Sequence, residues 1–572
     1  MSFAAAIANA AIAVYTNTSE VRACLPLDDG GFLVGTGGGL VWTDAKGAQK
    51  RVWTKLDGLP ATRIDGIEMV NGEMWIGTEH GALRAKLEKG QLVLGRGAGG
   101  FSIRDVVRFD NKTYLATNDG VRVEQHMTSA PVPFKGGSNR QGRARVSSLA
   151  IADGALWAGT EGGLYRMRNG TFELTAIASG ANYVTALYGD GKTLWIGTSN
   201  GLYTREGAKV RDYGGGNLRA VTKIDGAIVA VGLGGGFVTV DRGRLVTYNG
   251  APKVSMVQAL TESDGAVCTG GLDGLAVRSS AKTWTQVAAP QGIPANDISA
   301  LAADGDALWV GTFDKGLAKF EKGVWTKIES QTLDYRINAI LVEPRGKARS
   351  RIWVATANGI SIVDQSARPP AVTEITRTEG LPARGVLSLA RLRDGRVLAG
   401  TMHGAAILAD GARPVAIGLK QNLEVKNVWA VAEDSQGYLW IGATTGVYRG
   451  KPDDTGWTRY SVATKHLRDD WVMALAVRDN EVYVGTYKGG LTRFDLGTAP
   501  TATQLGEGWI NPGGLRWDSG TLYASTMNGL ASTDGRGDWS SSTTYTVDDT
   551  TATERVGELL FIATRRGVVS KR

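Results

Sequence analysis

Four histidines, His80, His126, His403 and His466, are the only imidazoles in 572 residues. None stands at metal-ligand spacing from another histidine, a cysteine or a carboxylate, so no metal site is expected. His80 and His403 each precede a glycine, a pairing that turn chemistry explains before catalysis does. Cys24 and Cys268 are too few for a disulfide scaffold or a thiolate cage. Buried free thiols are the favoured reading for them, a bridge the lesser one. No Gly-x-Ser-x-Gly elbow, phosphate loop or dinucleotide fingerprint sits between a strand and a helix, which leaves no cofactor to expect. Carboxylates are plentiful, but an acid–base pair is defined by its separation across a cleft, not by spacing along a chain. What remains is recognition chemistry: aromatic rings and cations that can stack on a sugar or fill a protein hot spot.

Charge narrows the partners. Sixty-four basic against 56 acidic residues give a net charge of +8, small for this length and without a long Lys/Arg run, so no nucleic acid is expected. No apolar stretch is long enough to span a bilayer. Met1 to Tyr15 is apolar and carries Ala8-Asn9-Ala10, like a leader-cleavage site, but lacks the basic residues that should precede it. Arg536-Gly537-Asp538 reads as a turn, not an adhesion signal.

Glycine is the outlier, 79 residues without a three-residue period, and it belongs to a repeat. Leu194-Trp195-Ile196-Gly197-Thr198-Ser199-Asn200-Gly201-Leu202 recurs fourteen times, about 40 residues apart, with its small fourth residue running from Gly35 to Ala563. Each copy reads as strand, tight turn, strand. Asn200-Gly201, Asn358-Gly359 and Asn528-Gly529 are dipeptides that accept positive φ at both centres of a type I′ turn. A short apolar stretch upstream and a tryptophan-centred segment downstream, such as Val324-Trp325-Thr326, complete four strands. The small residue is expected where neighbouring sheets converge. No sustained 3.6-residue period appears.

The fold class predicted is therefore all-β: fourteen four-stranded blades, divided as two seven-bladed β-propellers over 17–292 and 293–572, because one ring holds about four to eight. The last repeat stops after three strands. The strand-like piece at 11–16 is expected to supply its fourth and to close blade 14.

The Leu-Trp-Ile-Gly-Thr-x-x-Gly-Leu hairpin, with Gly58-Leu59-Pro60 and Gly380-Leu381-Pro382 in linkers, resembles the two-component regulator propeller repeat. That resemblance implies the periplasmic or extracellular sensor region of bacterial hybrid histidine kinases, which binds carbohydrate or other signals. No Ig-like connector, membrane helix or kinase follows blade 14, so a free-standing binding protein is expected.

Loops on a rigid scaffold carry binding. The expected face comprises His80, Asn118, Asp119, Glu161, Asn200 and Asp273 with the basic linker Arg140, Arg143 and Arg145 in the first propeller. In the second it comprises Phe313, Asp314, Tyr335, Arg336, His403, Tyr487, Lys488, Arg565 and Arg566, with the loop from Lys465 to Trp471, which includes His466. The leading reading is a non-enzymatic scaffold whose partner is an oligosaccharide or a protein. The alternative is a polysaccharide lyase or glycoside hydrolase with an axial active site; a third reading is an architectural subunit of a surface complex.

Overall fold

The computed structural model describes residues 12–125, 128–136, 144–177, 183–272, 274–279, 282–287, 292–328, 332–346, 348–367, 370–421, 423, 425–497, 499–537, 540–541 and 549–572. His126, Arg140, Arg143 and Asp273 lie outside them, as does Asp538. The chain divides into two compact units, an N-terminal one over Thr18–Pro290 and a C-terminal one over Gln291–Arg572 joined by Met1–Asn17.

Among the described residues the protein is all-β, interrupted by two short 3-10 turns. Among the described residues each unit contains seven sheets, and nearly every sheet is a meander of four consecutive antiparallel strands. One departs from the expected four: Phe134–Lys135 adds a fifth strand, parallel to Thr171–Thr175. Its cause is aromatic, since Phe134 stacks on Phe172 at 5.0 Å and meets the edge of Tyr165 at 4.9 Å.

A sheet with two apolar faces must bury both. In the N-terminal unit the first strand of each sheet lies against that of the next, and the first strand of the seventh, Ala259–Ser263, lies against Val21–Pro26 of the first. In the C-terminal unit the same succession runs from Ile298–Asp304 to Thr550–Val556 and back. The small fourth residue sits at most of these meetings. A Cβ on Gly159 would come within 2.5 Å of Val184, on Gly311 within 2.5 Å of Ile337, and on Gly442 within 2.5 Å of Val472. Gly270 faces Val21 in the same way, across the meeting of the seventh and first sheets. Gly442→Val is therefore expected to cost about 1–3 kcal/mol by overpacking, read as a lower urea midpoint. Gly456→Ala, whose added Cβ meets nothing within 4 Å, should leave the midpoint unchanged.

The hairpin turn differs from the expectation. Positive φ falls on the glycine alone, +150° at Gly201 and +137° at Gly359, while Asn200, Asn358 and Asn528 keep negative φ. The reason is the threonine that ends the preceding strand. Thr198 Oγ1 donates to the Gly201 carbonyl at 3.0 Å and accepts from Asn200 N–H at 3.0 Å, and Thr78, Thr117, Thr356 and Thr526 do the same. The loop is thus Ser199-Asn200, closed by the Thr198–Gly201 pair.

Cys24 and Cys268 are bonded, which corrects the free-thiol reading. Their positions in the first and seventh sheets bring their Cα atoms to 6.2 Å, within bridging range, and both are buried. In the C-terminal unit the latch is a strand instead. Ile12–Tyr15 pairs antiparallel with Gly567–Lys571 as a fourth strand. Tyr15 packs against Phe320 at 5.2 Å and Trp325 at 5.4 Å. Asn17 N–H donates to Asn296 Oδ1 at 2.6 Å, and Asn296 Nδ2 donates back to the Asn17 carbonyl at 2.8 Å.

Candidate functional site

In most sheets the central hairpin is tied to the chain entering that sheet. Ser199 N–H donates to the Tyr183 carbonyl, Phe313 N–H to Asp297, Met402 N–H to Gly385 and Tyr487 N–H to Trp471. Turns and entry loops therefore gather at one end of each sheet. In the C-terminal unit this tie builds an aromatic row. Trp471 lies 4.8 Å from Tyr487, and Tyr487 lies 5.0 Å from Trp509, which enters on the next sheet. The outer rings are exposed, Trp471 at 38% and Trp509 at 40%. Polar groups border the row. Asp469 accepts from Trp471 N–H at 3.1 Å and Lys488 N–H at 2.8 Å, and Arg468 pairs with Glu507 at 3.0 Å. Two indole faces beside charged, hydrogen-bonding groups can hold a pyranose, with its C–H face on the ring and its hydroxyls on the rim.

Of the expected residues, Trp471, Tyr487 and Lys488 come together here. Trp509 was missed by sequence reasoning, although it stands before Ile510 as Trp471 stands before Val472. Phe313 and Arg565 form a second pair, the guanidinium 5.7 Å from the ring and bound to Asp297 at 2.7 Å. Tyr335, 62% exposed, borders the turn carrying Phe313 and Asp314, where Gly316 N–H donates to its carbonyl. Arg336 is held by Asp334 at 3.0 Å. Arg566 bonds the Arg565 carbonyl. His403 is an exposed turn residue braced by Thr401. His466 packs between Tyr460 and Phe494 with Nδ1 3.0 Å from Thr464 Oγ1, a structural position. His80, Asn118, Asp119, Glu161 and Asn200 occupy the turns of four different sheets of the N-terminal unit, and nothing draws them into one pocket.

What the N-terminal unit does enclose is a polar cavity of about 840 Å³, lined by the first strands of all seven sheets. Arg145 is the one expected residue in it; Arg22, Asp65, Glu68, Arg104, Asp105 and Arg219 were not foreseen. Asp65 is buried and bound by Arg22 at 2.7 Å, Arg63 at 3.0 Å and the Ser102 hydroxyl at 3.0 Å. Burial pushes its carboxyl up, but the two guanidiniums outweigh burial and hold it below the usual range. Asp105 accepts from Leu149 N–H at 2.7 Å, yet burial still raises it. Glu68, bordering the cavity but ringed by protein, is held well above the ordinary glutamate value by burial and by Asp105. Arg104 is pushed down to about 10, by burial first and then by Arg145. Among the described residues no group of three His, Cys, Asp or Glu side chains is placed to hold a metal ion, and no helix is long and apolar enough to cross a membrane.

No curated protein matches this sequence. Among solved structures the chain is similar to PorZ, an essential bacterial surface component of the type-IX secretion system of Porphyromonas gingivalis. That match has 13% identity and a TM-score of 0.69, covering 98% of this chain and 86% of that one. It is also similar to an ancestral GH74 enzyme, at 14% identity and a TM-score of 0.68, covering 98% of both chains. At such identities the likeness is one of fold. Residues 422–445, which include the Leu439-Trp440-Ile441-Gly442 strand, match the family model described as Two component regulator propeller. The chain thus carries the two-component regulator propeller repeat.

Proposed function

We propose that the chain is a pair of seven-bladed β-propellers, over 17–292 and 293–572, acting as a non-enzymatic recognition protein that binds an oligosaccharide on the Trp471–Tyr487–Trp509 row. The cyclic succession of seven sheets in each unit supports the architecture. The single observation that carries the function is the pair of exposed indoles flanking Tyr487 over a charged rim. A disulfide persists in oxidising surroundings, so the Cys24–Cys268 bond supports a periplasmic or extracellular location. Fold likeness chooses no activity, since a secretion-system component and an enzyme share it.

Titration of the full chain with a panel of neutral and acidic oligosaccharides tests this reading. Trp471→Ala and Trp509→Ala, both at exposed rings, should each weaken binding about tenfold or more with an unchanged melting temperature. Binding that survives both substitutions would overturn it, and so would failure of every sugar while a protein partner is lost in the same variants. The raised carboxyl pair Glu68 and Asp105 is the one observation on the side of a hydrolase. Reducing-sugar release abolished by Glu68→Gln would decide for that second reading.

A further inference from the structure

Six of the seven first strands in the N-terminal unit carry a β-bulge at the same place, one residue after the first apolar residue. The bulged residues are Arg22, Asp65, Arg104, Ser147, Thr185 and Arg219, and all six line the cavity. A bulge leaves its residue outside the ladder and re-aims the side chain. The C-terminal unit has the same bulge at Ser299, Asn338, Leu387, Met473 and Thr551. None of those is charged.

The structural task of the position is therefore visible and needs no charge. Ser147, Thr185, Asn338 and Thr551 each donate to the carbonyl of the first apolar residue of the next sheet, Val184, Leu218, Val386 and Ile298. The arginines do something else. Arg22 is spent on Asp65 and Glu20. The side chains of Arg104 and Arg219, with that of the exposed Arg145, make no ion pair or hydrogen bond to any described residue, and Arg219 Nε is wholly enclosed without a partner. Asp65 is already shared by Arg22 and Arg63. Asp105 is occupied by the Leu149 N–H and the Ser148 hydroxyl, and burial raises both it and Glu68 above their ordinary values. Crowded guanidiniums that have no ion pair of their own are stabilised by an oxygen anion that accepts from their planar forks.

We propose that the N-terminal cavity binds a small oxyanionic ligand with more than one carboxylate or phosphate, gripped by Arg104, Arg145 and Arg219. A volume of about 840 Å³ exceeds the need of an inorganic monoanion and suits a ligand of sugar-acid or tricarboxylate size. This site is independent of the aromatic row, which belongs to the other unit.

The test is calorimetric titration of the full chain in low-chloride buffer with citrate, with pyrophosphate and with neutral maltotriose. Citrate alone would identify carboxylate recognition, pyrophosphate alone phosphate recognition, and both the shared chemistry; each supports the site. Arg145→Gln, at the mouth, should weaken binding about tenfold, and Arg104→Gln/Arg145→Gln should abolish it, with circular dichroism confirming the fold. Absence of binding by both anions at millimolar concentration, equal binding of maltotriose, or unchanged affinity in the folded Arg145→Gln protein would overturn the proposal.

Discussion

Replacing Cys24 and Cys268 by alanine is expected to destabilise the N-terminal unit by about 3–5 kcal/mol and to leave the C-terminal unit untouched. The argument is one of chain closure. The bond spans a sequence separation of 244 residues, so it removes much of the freedom of the unfolded chain, and the entropy it removes grows with loop length. It also joins the two sheets whose meeting completes the succession, where Val21, Val34 and Val277 are buried beside it. Every other pair of neighbouring sheets in that unit is joined directly by the chain running from one sheet to the next. Scanning calorimetry of the whole chain with and without reductant should show one transition falling and one fixed. A shift in both transitions, or in neither, would contradict this.

The second large effect is expected from the other latch. Removing the chain through Thr16 takes away Ile12–Tyr15, leaves Gly567–Lys571 as an open edge and strips Tyr15 from its place against Phe320 and Trp325. Burial of one tyrosine and the lost ladder hydrogen bonds together amount to about 4 kcal/mol. An unpaired edge also invites pairing between chains. The truncated protein should therefore melt lower in its C-terminal unit and associate on warming, as light scattering would report. Tyr15→Ala, which keeps the ladder, should lose about 2 kcal/mol without the association. An unchanged C-terminal transition in both proteins would remove the latch from the account.

The two latches also show what the amino-acid order makes legible. The strand at 11–16 could be anticipated because the last repeat lacks a strand and a spare one precedes the first; it stands at Ile12–Tyr15. The four-strand period and the close approach at the small residue follow from local patterning, since each repeats the same packing problem. The disulfide was the lesser reading, although the sevenfold division makes the sheets of Cys24 and Cys268 neighbours, because a buried cysteine serves equally well as a small apolar residue. The turn was misjudged because Asn-Gly is a strong local signal and the threonine brace, which shifts the loop by one residue, acts through a side chain. The charged cavity was hidden for a related reason. Val21-Arg22, Ile64-Asp65, Ile103-Arg104 and Leu218-Arg219 recur in register, but only a bulge turns those residues to the cavity. Trp509 escaped because its partner Tyr487 lies on another sheet.

Peptide-resolved hydrogen exchange of the full chain, before and after reduction, tests most directly whether two separately latched units make up the molecule. Faster exchange confined to the N-terminal unit, strongest at Val21–Pro26 and Ala266–Gly271, with Ile12–Tyr15 and Gly567–Lys571 still protected, is the predicted result. Loss of protection spread evenly over all fourteen sheets, or no protection at Ile12–Tyr15 at any stage, would contradict it.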